Sequence, residues 1–375
     1  MPKATIKTVI RPALLLVCCF VAFTVSTSCA TSIPDFKSGK VIISGRAKLS
    51  AGSSRVISLI YSQLSATPTR LTSILDSAGR FQFEFDILRA HDMTLRYEKG
   101  VAILYVKPAD SLYIQLVSSD FQKTRHPHFL ISGTHPETSR DILSYHLYTK
   151  LDSFKPVPEH KSTEEYLAAI KERIALEDSL LSVFSRNHPS TEEFKTWAKK
   201  DIVYRNANFL VDYEAFHSFH KTQFKGVLYD TTLFPVNDSD ALISSWYQYH
   251  LWQYAMAGYI QGDTVIQRLF KEQKLAEAYA AGLKKIIARE KPTVSRDIMC
   301  YQILFTLSER APKDFRMLMK NVDDYVSSNT LASALQEKVR QSENQANFQV
   351  ALFKPDTKEE KEIYAALGTA ANVDF

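Results

Sequence analysis

Leu71–Leu116 reads LTSILDSAGRFQFEFDILRAHDMTLRYEKGVAILYVKPADSLYIQL, and its reading decides the fold. Asp76-Ser77-Ala78-Gly79 is a turn signal, because Asp at the first position and Gly at the last suit a type I turn. The run after it, Arg80-Phe81-Gln82-Phe83-Glu84-Phe85, puts three Phe on one face and polar residues on the other. Period two makes this a half-buried strand. With the alternating Arg70–Leu75 before the turn, the pattern predicts a β-hairpin.

Working outward, more short strands follow. Lys40–Leu49 carries β-branched residues and a Gly, as at a bulge or bend. Arg55–Leu64 alternates. Met93–Glu98, Val101–Val106 and Ser111–Val117 are separated by Lys99-Gly100 and by Lys107-Pro108-Ala109-Asp110, and His128–Ser132 adds one more. Seven or eight short strands with frequent turns predict an antiparallel β-sandwich or barrel-like domain over 40–134.

From Pro136 the period becomes helical. Ser162-Thr163-Glu164-Glu165 and Ser190-Thr191-Glu192-Glu193 read as capping boxes. Leu167, Ile170, Ile174, Leu181 and Phe184 form one apolar stripe. Asp240–Ile260 is apolar nearly all round, which predicts one helix at the centre of a bundle. Further helices are expected at Val265–Arg289, Val294–Glu309, Lys313–Val326 and Leu331–Glu343. The fold class is therefore α+β and multidomain, with an all-α bundle over 137–345 and a tail over 346–375.

A chain of 375 residues is long for one domain. The 22 Phe and 18 Tyr point first to well-filled cores. Net charge is +5, and Lys3, Lys7 and Arg11 supply three of those charges in a stretch 1–28 without acids. The rest carries only about +2, no footprint for nucleic acid.

That first stretch is an export signal. Residues 1–12 are polar and basic, Ala13–Val25 is apolar, and Ser26-Thr27-Ser28-Cys29-Ala30 supplies small residues at a processing site. The apolar run is shorter than the roughly 20 residues a spanning helix needs. Small residues before Cys29 resemble a bacterial lipobox, which implies cleavage of 1–28 and acylation of Cys29, with 29–39 as a tether. The departure is Ser26, where a lipobox carries Leu or a similar apolar residue. Acyl chains would anchor the protein in the membrane, since each buried CH₂ contributes about 0.8 kcal/mol. Ala30 is not the Asp of inner-membrane retention, so the outer membrane is favoured. Cleavage after Ala30, giving a soluble periplasmic protein, is the other reading. Cys18 and Cys19 lie in the signal, so an acylated Cys29 leaves Cys300 as the only thiol, in an apolar helical context.

Several motifs taken together resemble one family. They are the Gly-bearing first strand, D-x-x-G-x-F-x-F at Asp76–Phe83, Pro108-Ala109-Asp110-Ser111-Leu112 and a strand ending Ser132-Gly133. Phe234-Pro235-Val236-Asn237-Asp238 before an aromatic helix, and Arg296-Asp297-Ile298 opening a later one, add to them. Over residues 38–345 the chain resembles the N-terminal β domain and helical linker of TlpA-like thiol–disulfide oxidoreductase lipoproteins. Ala109 stands where that family has Gly. In the family a thioredoxin domain with a Trp-Cys-x-x-Cys site comes next. Here a charged stretch, Thr357–Gly368, follows and the chain ends at Phe375. The resemblance thus implies a scaffold without the family's redox residues, and its activity is not expected here.

No Cys-x-x-Cys, G-x-S-x-G, Walker loop or dinucleotide fingerprint occurs. His126, His128, His135 and His146 lie close in sequence, but a zinc site needs three or four converging ligands. His217 and His220 lack a zincin spacing. Glu164, Glu165, Glu192 and Glu193 are explained by helix capping. We therefore expect no catalytic residue, no metal and no cofactor. Trp246, Tyr249 and Trp252 are the candidate ligand-binding aromatics. The expected function is a non-enzymatic envelope lipoprotein that binds or scaffolds an envelope protein or a peptide or glycan ligand. The alternative is an accessory or truncated TlpA-like relative acting with a separate thioredoxin partner.

Overall fold

A computed structural model describes residues 36–65, 67–125, 127–149, 163–219 and 231–352; of 211–212, 214–219 and 342–352 only the backbone is described. The stretch read as an export signal, and Cys29, lie outside them. Eight strands come first, as the alternation predicts: β1 Gly39–Lys48, β2 Val56–Tyr61, β3 Thr69–Ile74, β4 Arg80–Ile87, β5 His91–Tyr97, β6 Gly100–Val106, β7 Ser111–Val117 and β8 Leu130–Gly133. They form two four-stranded sheets, ordered β4-β1-β7-β8 and β3-β2-β5-β6. Every pairing is antiparallel except β1 with β7, which is parallel. That pair is a departure from the expected all-antiparallel sandwich. The two sheets bury their alternate residues against each other. Val41, Ile43, Phe81, Phe83, Ile114 and Leu116 come from one sheet, and Ile57, Leu59, Leu95, Tyr97 and Leu104 from the other.

The Asp76–Gly79 turn forms as read, but it does not close a hairpin. β3 and β4 belong to different sheets, so the turn carries the chain from one sheet to the other. The reason lies in where its polar groups go. Gly79 N–H donates to Asp76 O at 2.9 Å, and Asp76 Oδ1 accepts from Ala78 and Arg80 N–H at 2.9 Å each. Gly79 O then accepts from Ala47 N–H at 2.8 Å, and Leu75 N–H donates to Arg55 O at 2.8 Å. One end of the turn is thereby tied to β1 and the other to the β2 side. Gly79 has φ +75°, and a Cβ there would lie 2.1 Å from Ala47 O. The Gly of the first strand has its own reason: Gly45 sits opposite Phe81, whose ring covers it.

The helices are α1 Ser118–Lys123, α2 Glu137–Thr149, α3 Thr163–Asn187, α4 Glu192–Phe219, α5 Ser245–Ala255, α6 Thr264–Lys271, α7 Leu275–Arg289, α8 Val294–Arg310, α9 Pro312–Met319 and α10 Asn329–Leu352. The stripe on α3 holds Ile170, Leu181 and Phe184 buried, with Glu177 set among them. That acid is paired: Arg173 Nε reaches it at 2.9 Å and Arg205 Nη2 at 2.8 Å. Phe184, Phe194, Trp197, Ile142 and Tyr145 make a second core that reaches Tyr105 on β6.

Four helical expectations are corrected. Lys313–Val326 is not one helix: α9 stops at Met319 and a 3-10 turn follows at Val322–Asp324. Asp240–Ile260 is not one helix: a 3-10 turn at Ser239–Ile243 precedes α5, and a π turn at Met256–Gln261 follows it. Ser244 is extended and caps α5 by accepting from Trp246 N–H. The centre of the bundle is α8, buried from Val294 through Leu307. Val265–Arg289 is broken between α6 and α7, where Gln273 has φ +59°. Finally, α4 is capped by Thr191, whose Oγ1 accepts from Phe194 N–H at 3.2 Å, so the Ser190–Glu193 box does not form. Glu193 instead takes Lys107 Nζ at 2.5 Å and the Thr138 hydroxyl at 3.2 Å.

Among the described residues, strands and helices are joined by hydrogen bonds into one compact unit. Ser139 Oγ accepts from Tyr105 N–H and donates to Tyr105 O, at 2.9 and 3.0 Å. Gln248 Oε1 accepts from Leu64 N–H at 3.1 Å. Arg140 donates from Nε and Nη2 to Ile131 O on β8, at 2.9 and 2.8 Å.

Candidate functional site

Two surfaces are candidates for a functional site, and the first is the aromatic face of α5. Tyr247, Gln248, His250 and Leu251 turn inward, leaving Trp246, Tyr249 and Trp252 toward the outside. Trp246 is 37% exposed. Tyr249 and Trp252 stack with centroids 5.9 Å apart and planes 25° apart. Gln253 Nε2 donates to Tyr249 Oη at 2.7 Å, which fixes that pair. The structure thus brings Tyr249 and Trp252 together and leaves Trp246 a turn away on the same helix.

The second surface was not singled out by the sequence. The outer face of β1, β7 and β8, beside the Asp76–Gly79 turn, forms an open cleft of about 770 Å³. Tyr113, Gln115 and Val117 project into it from alternate positions of β7, with Leu130 beside them on β8. Tyr113, Val117 and Leu130 are 38, 39 and 58% exposed, unusual for large apolar side chains on an outer sheet face. Arg46 and Lys48 project from β1, and His128 and Asp120 lie at the rim. Arg46 Nε donates to Ala78 O at 3.0 Å, so the turn holds that guanidinium in place. Alternating polar and apolar letters in Ser111–Val117 gave the strand; what carried no sequence signal was that its outer residues gather beside Leu130 and two cations.

Behind these surfaces lies a buried polar joint. Asp92, at the start of β5, accepts from Ser245 N–H at 2.7 Å and from Ser245 Oγ–H at 3.1 Å. A strand carboxylate thereby caps α5 and ties the two parts of the chain. Burial, with Asp201 nearby, pushes the Asp92 carboxyl up to about 6. Burial, with Arg89 nearby, lowers the His91 imidazole to about 4. His250 is lowered to about 4 by burial as well, packed between Tyr204 and Phe234. Asp201 and Glu177 share Arg205 in a second buried network. These groups are enclosed, and their partners are structural.

The motif residues also serve structure. Tyr204 donates to Pro235 O at 2.7 Å, Tyr247 donates to Val236 O at 2.5 Å, and Lys200 pairs with Asp238 at 2.6 Å, which pins Phe234–Asp238. Asp297 Oδ2 accepts from Ser327 and Ser328 N–H at 2.8 Å each, anchoring the approach to α10.

The remaining sequence candidates do not converge. His126 and His220, and the His217 side chain, lie outside the described residues. His128 is at the cleft rim, His135 pairs with Asp110 at 2.9 Å, and His146 packs on Trp197. Among the described residues, no three or more His, Cys, Asp or Glu are grouped to hold a metal ion. Cys300 is buried, and burial pushes its thiol up to about 12. Among them, too, no helix is long and apolar enough to cross a membrane.

Fold and surfaces define an α+β chain: a β-sandwich fused to a helical region, with an open cleft on one sheet. Comparison with family models, with curated proteins and with solved structures returns no match.

Proposed function

We propose that this protein is a binding or scaffold lipoprotein of the cell envelope, exported by residues 1–28 and anchored through acylated Cys29. The observation that carries the binding role is the cleft. Large apolar side chains held outward on a hydrogen-bonded sheet are costly to leave in water and mark interaction surfaces. The same proposal includes kinship with the β domain and helical linker of TlpA-like lipoproteins. It is supported by the order of sandwich then helices and by the motif residues that pin Phe234–Asp238 and Asp297.

The test places a photo-crosslinking phenylalanine analogue at Tyr113 in the full-length protein in its own envelope. A discrete crosslinked product is expected, and its absence with the same probe at exposed Met317 as control identifies the cleft. Identical products at both positions, or none at either, refute a binding role for this face. The anchor is tested by palmitate labelling, which Cys29→Ala should abolish; unchanged labelling refutes lipidation.

A further inference from the structure

We infer that the cleft takes an acidic, extended polypeptide segment with apolar residues four positions apart and an acidic residue between them on the same face. This rests on the binding role proposed above and names the partner's chemistry. Two observations converge. First, the outward positions of β7 repeat at period two, and the apolar ones among them, Tyr113 and Val117, stand four residues apart with Gln115 between them. Outward residues along a strand lie about 7 Å apart, the same repeat as the side chains of an extended chain laid along it. A compact ligand has no use for that repeat.

Second, the charge is one-signed where the strand would lie. Arg46 and Lys48 are successive outward residues of β1, which runs parallel to β7 with Arg46 opposite Gln115 and Lys48 opposite Val117. Among the described residues neither has a carboxylate within ion-pair distance, while Lys40 and Arg80 on the same sheet are matched by Glu84 and Asp76. An acidic segment supplies the missing partners, so charge complementarity fixes the sign of the ligand. Asp120, on the lip, is set against a basic one.

A second depression of about 510 Å³ shares Tyr113 and runs across the strands past Ser44 and Gln82, so it flanks the segment's path along β7.

The experiment measures binding of fluorescent heptapeptides to the full-length protein by anisotropy. One carries Tyr and Val four positions apart with Glu between them on the same face; its mirror carries Lys for Glu. Vesicles of anionic phosphatidylglycerol form the third arm. The acidic peptide should bind, the basic one should not, and raising salt from 0.05 to 0.5 M should weaken binding several-fold, as screening requires. Arg46→Glu/Lys48→Glu should weaken it about tenfold or more with unchanged circular dichroism, and Leu130→Ser should weaken it at every salt concentration. Equal binding of both peptides, no effect of the charge reversal, or binding to vesicles alone overturns the proposal. A crosslinked product at Tyr113 that survives the charge reversal overturns the acidic segment while leaving the binding role standing.

Discussion

Acid should loosen this protein through two buried imidazoles before its surface carboxylates titrate. His91 and His250 have pKa values near 4 in the folded chain against an ordinary 6.5. The folded pKa lies below the unfolded one, so between these values the unfolded chain binds the extra proton. Stability is therefore fully present above about 6.5 and is lost as pH falls toward 4. At 1.36 kcal/mol for each tenfold in proton affinity, each imidazole costs about 3 kcal/mol over that window. Asp92 works in the opposite direction. Its folded pKa of about 6 exceeds the ordinary 3.8, so the folded chain binds the extra proton between these values. Acidification then returns about 3 kcal/mol. The three together leave a net loss of about 3 kcal/mol between pH 7 and pH 4. Urea denaturation at half-unit pH steps measures it directly. His91→Phe/His250→Phe should remove the loss and leave a curve that rises on acidification through Asp92. Adding Asp92→Asn should flatten that rise. A double-histidine variant that keeps the wild-type pH slope would refute the reasoning.

Other outcomes follow from the core and the turn. Gly79→Ala forces a Cβ into Ala47 O at a φ of +75°, and should cost about 2–4 kcal/mol, read as a fall in Tm. Phe83→Ala opens a cavity between the sheets and should cost about 3–5 kcal/mol in urea denaturation; a cost under 1 would show that the sheets do not pack there. Cys300 should resist a thiol reagent at pH 8 in the native protein and react once in denaturant, because burial keeps it protonated and enclosed.

The strands were legible because each is half-buried, and half-burial writes period two into the letters. Arg80–Ile87 alternates exposed and buried residue by residue. What the letters did not hold was partnership. Asp76–Gly79 has turn chemistry whether the flanking strands pair or part, and only the bonds to Ala47 and Arg55 decide that they part. The helical region was less legible for the opposite reason. Asp240–Ile260 is apolar on several faces, so its break at Ser244 and its π turn leave no mark on the pattern. Asp92 lies just before the strand read at Met93–Glu98 and carried no local signal, yet it accepts from the first turn of a helix 153 residues further on. Trp246, Tyr249 and Trp252 were read from α5 itself, whereas the cleft needs β1, β7 and β8 together, a juxtaposition that no local window contains.

Arg140 gives the sandwich a property that its residues do not advertise. β8 is the last strand of its sheet and only four residues long, and the outward carbonyl of Ile131 is claimed twice by one guanidinium. A free edge invites another strand to add and the sheet to grow. Here the β8 rim is blocked at Ile131 while the face beside it stays open. Molecules crowded side by side can thus offer that apolar face without adding a strand at β8.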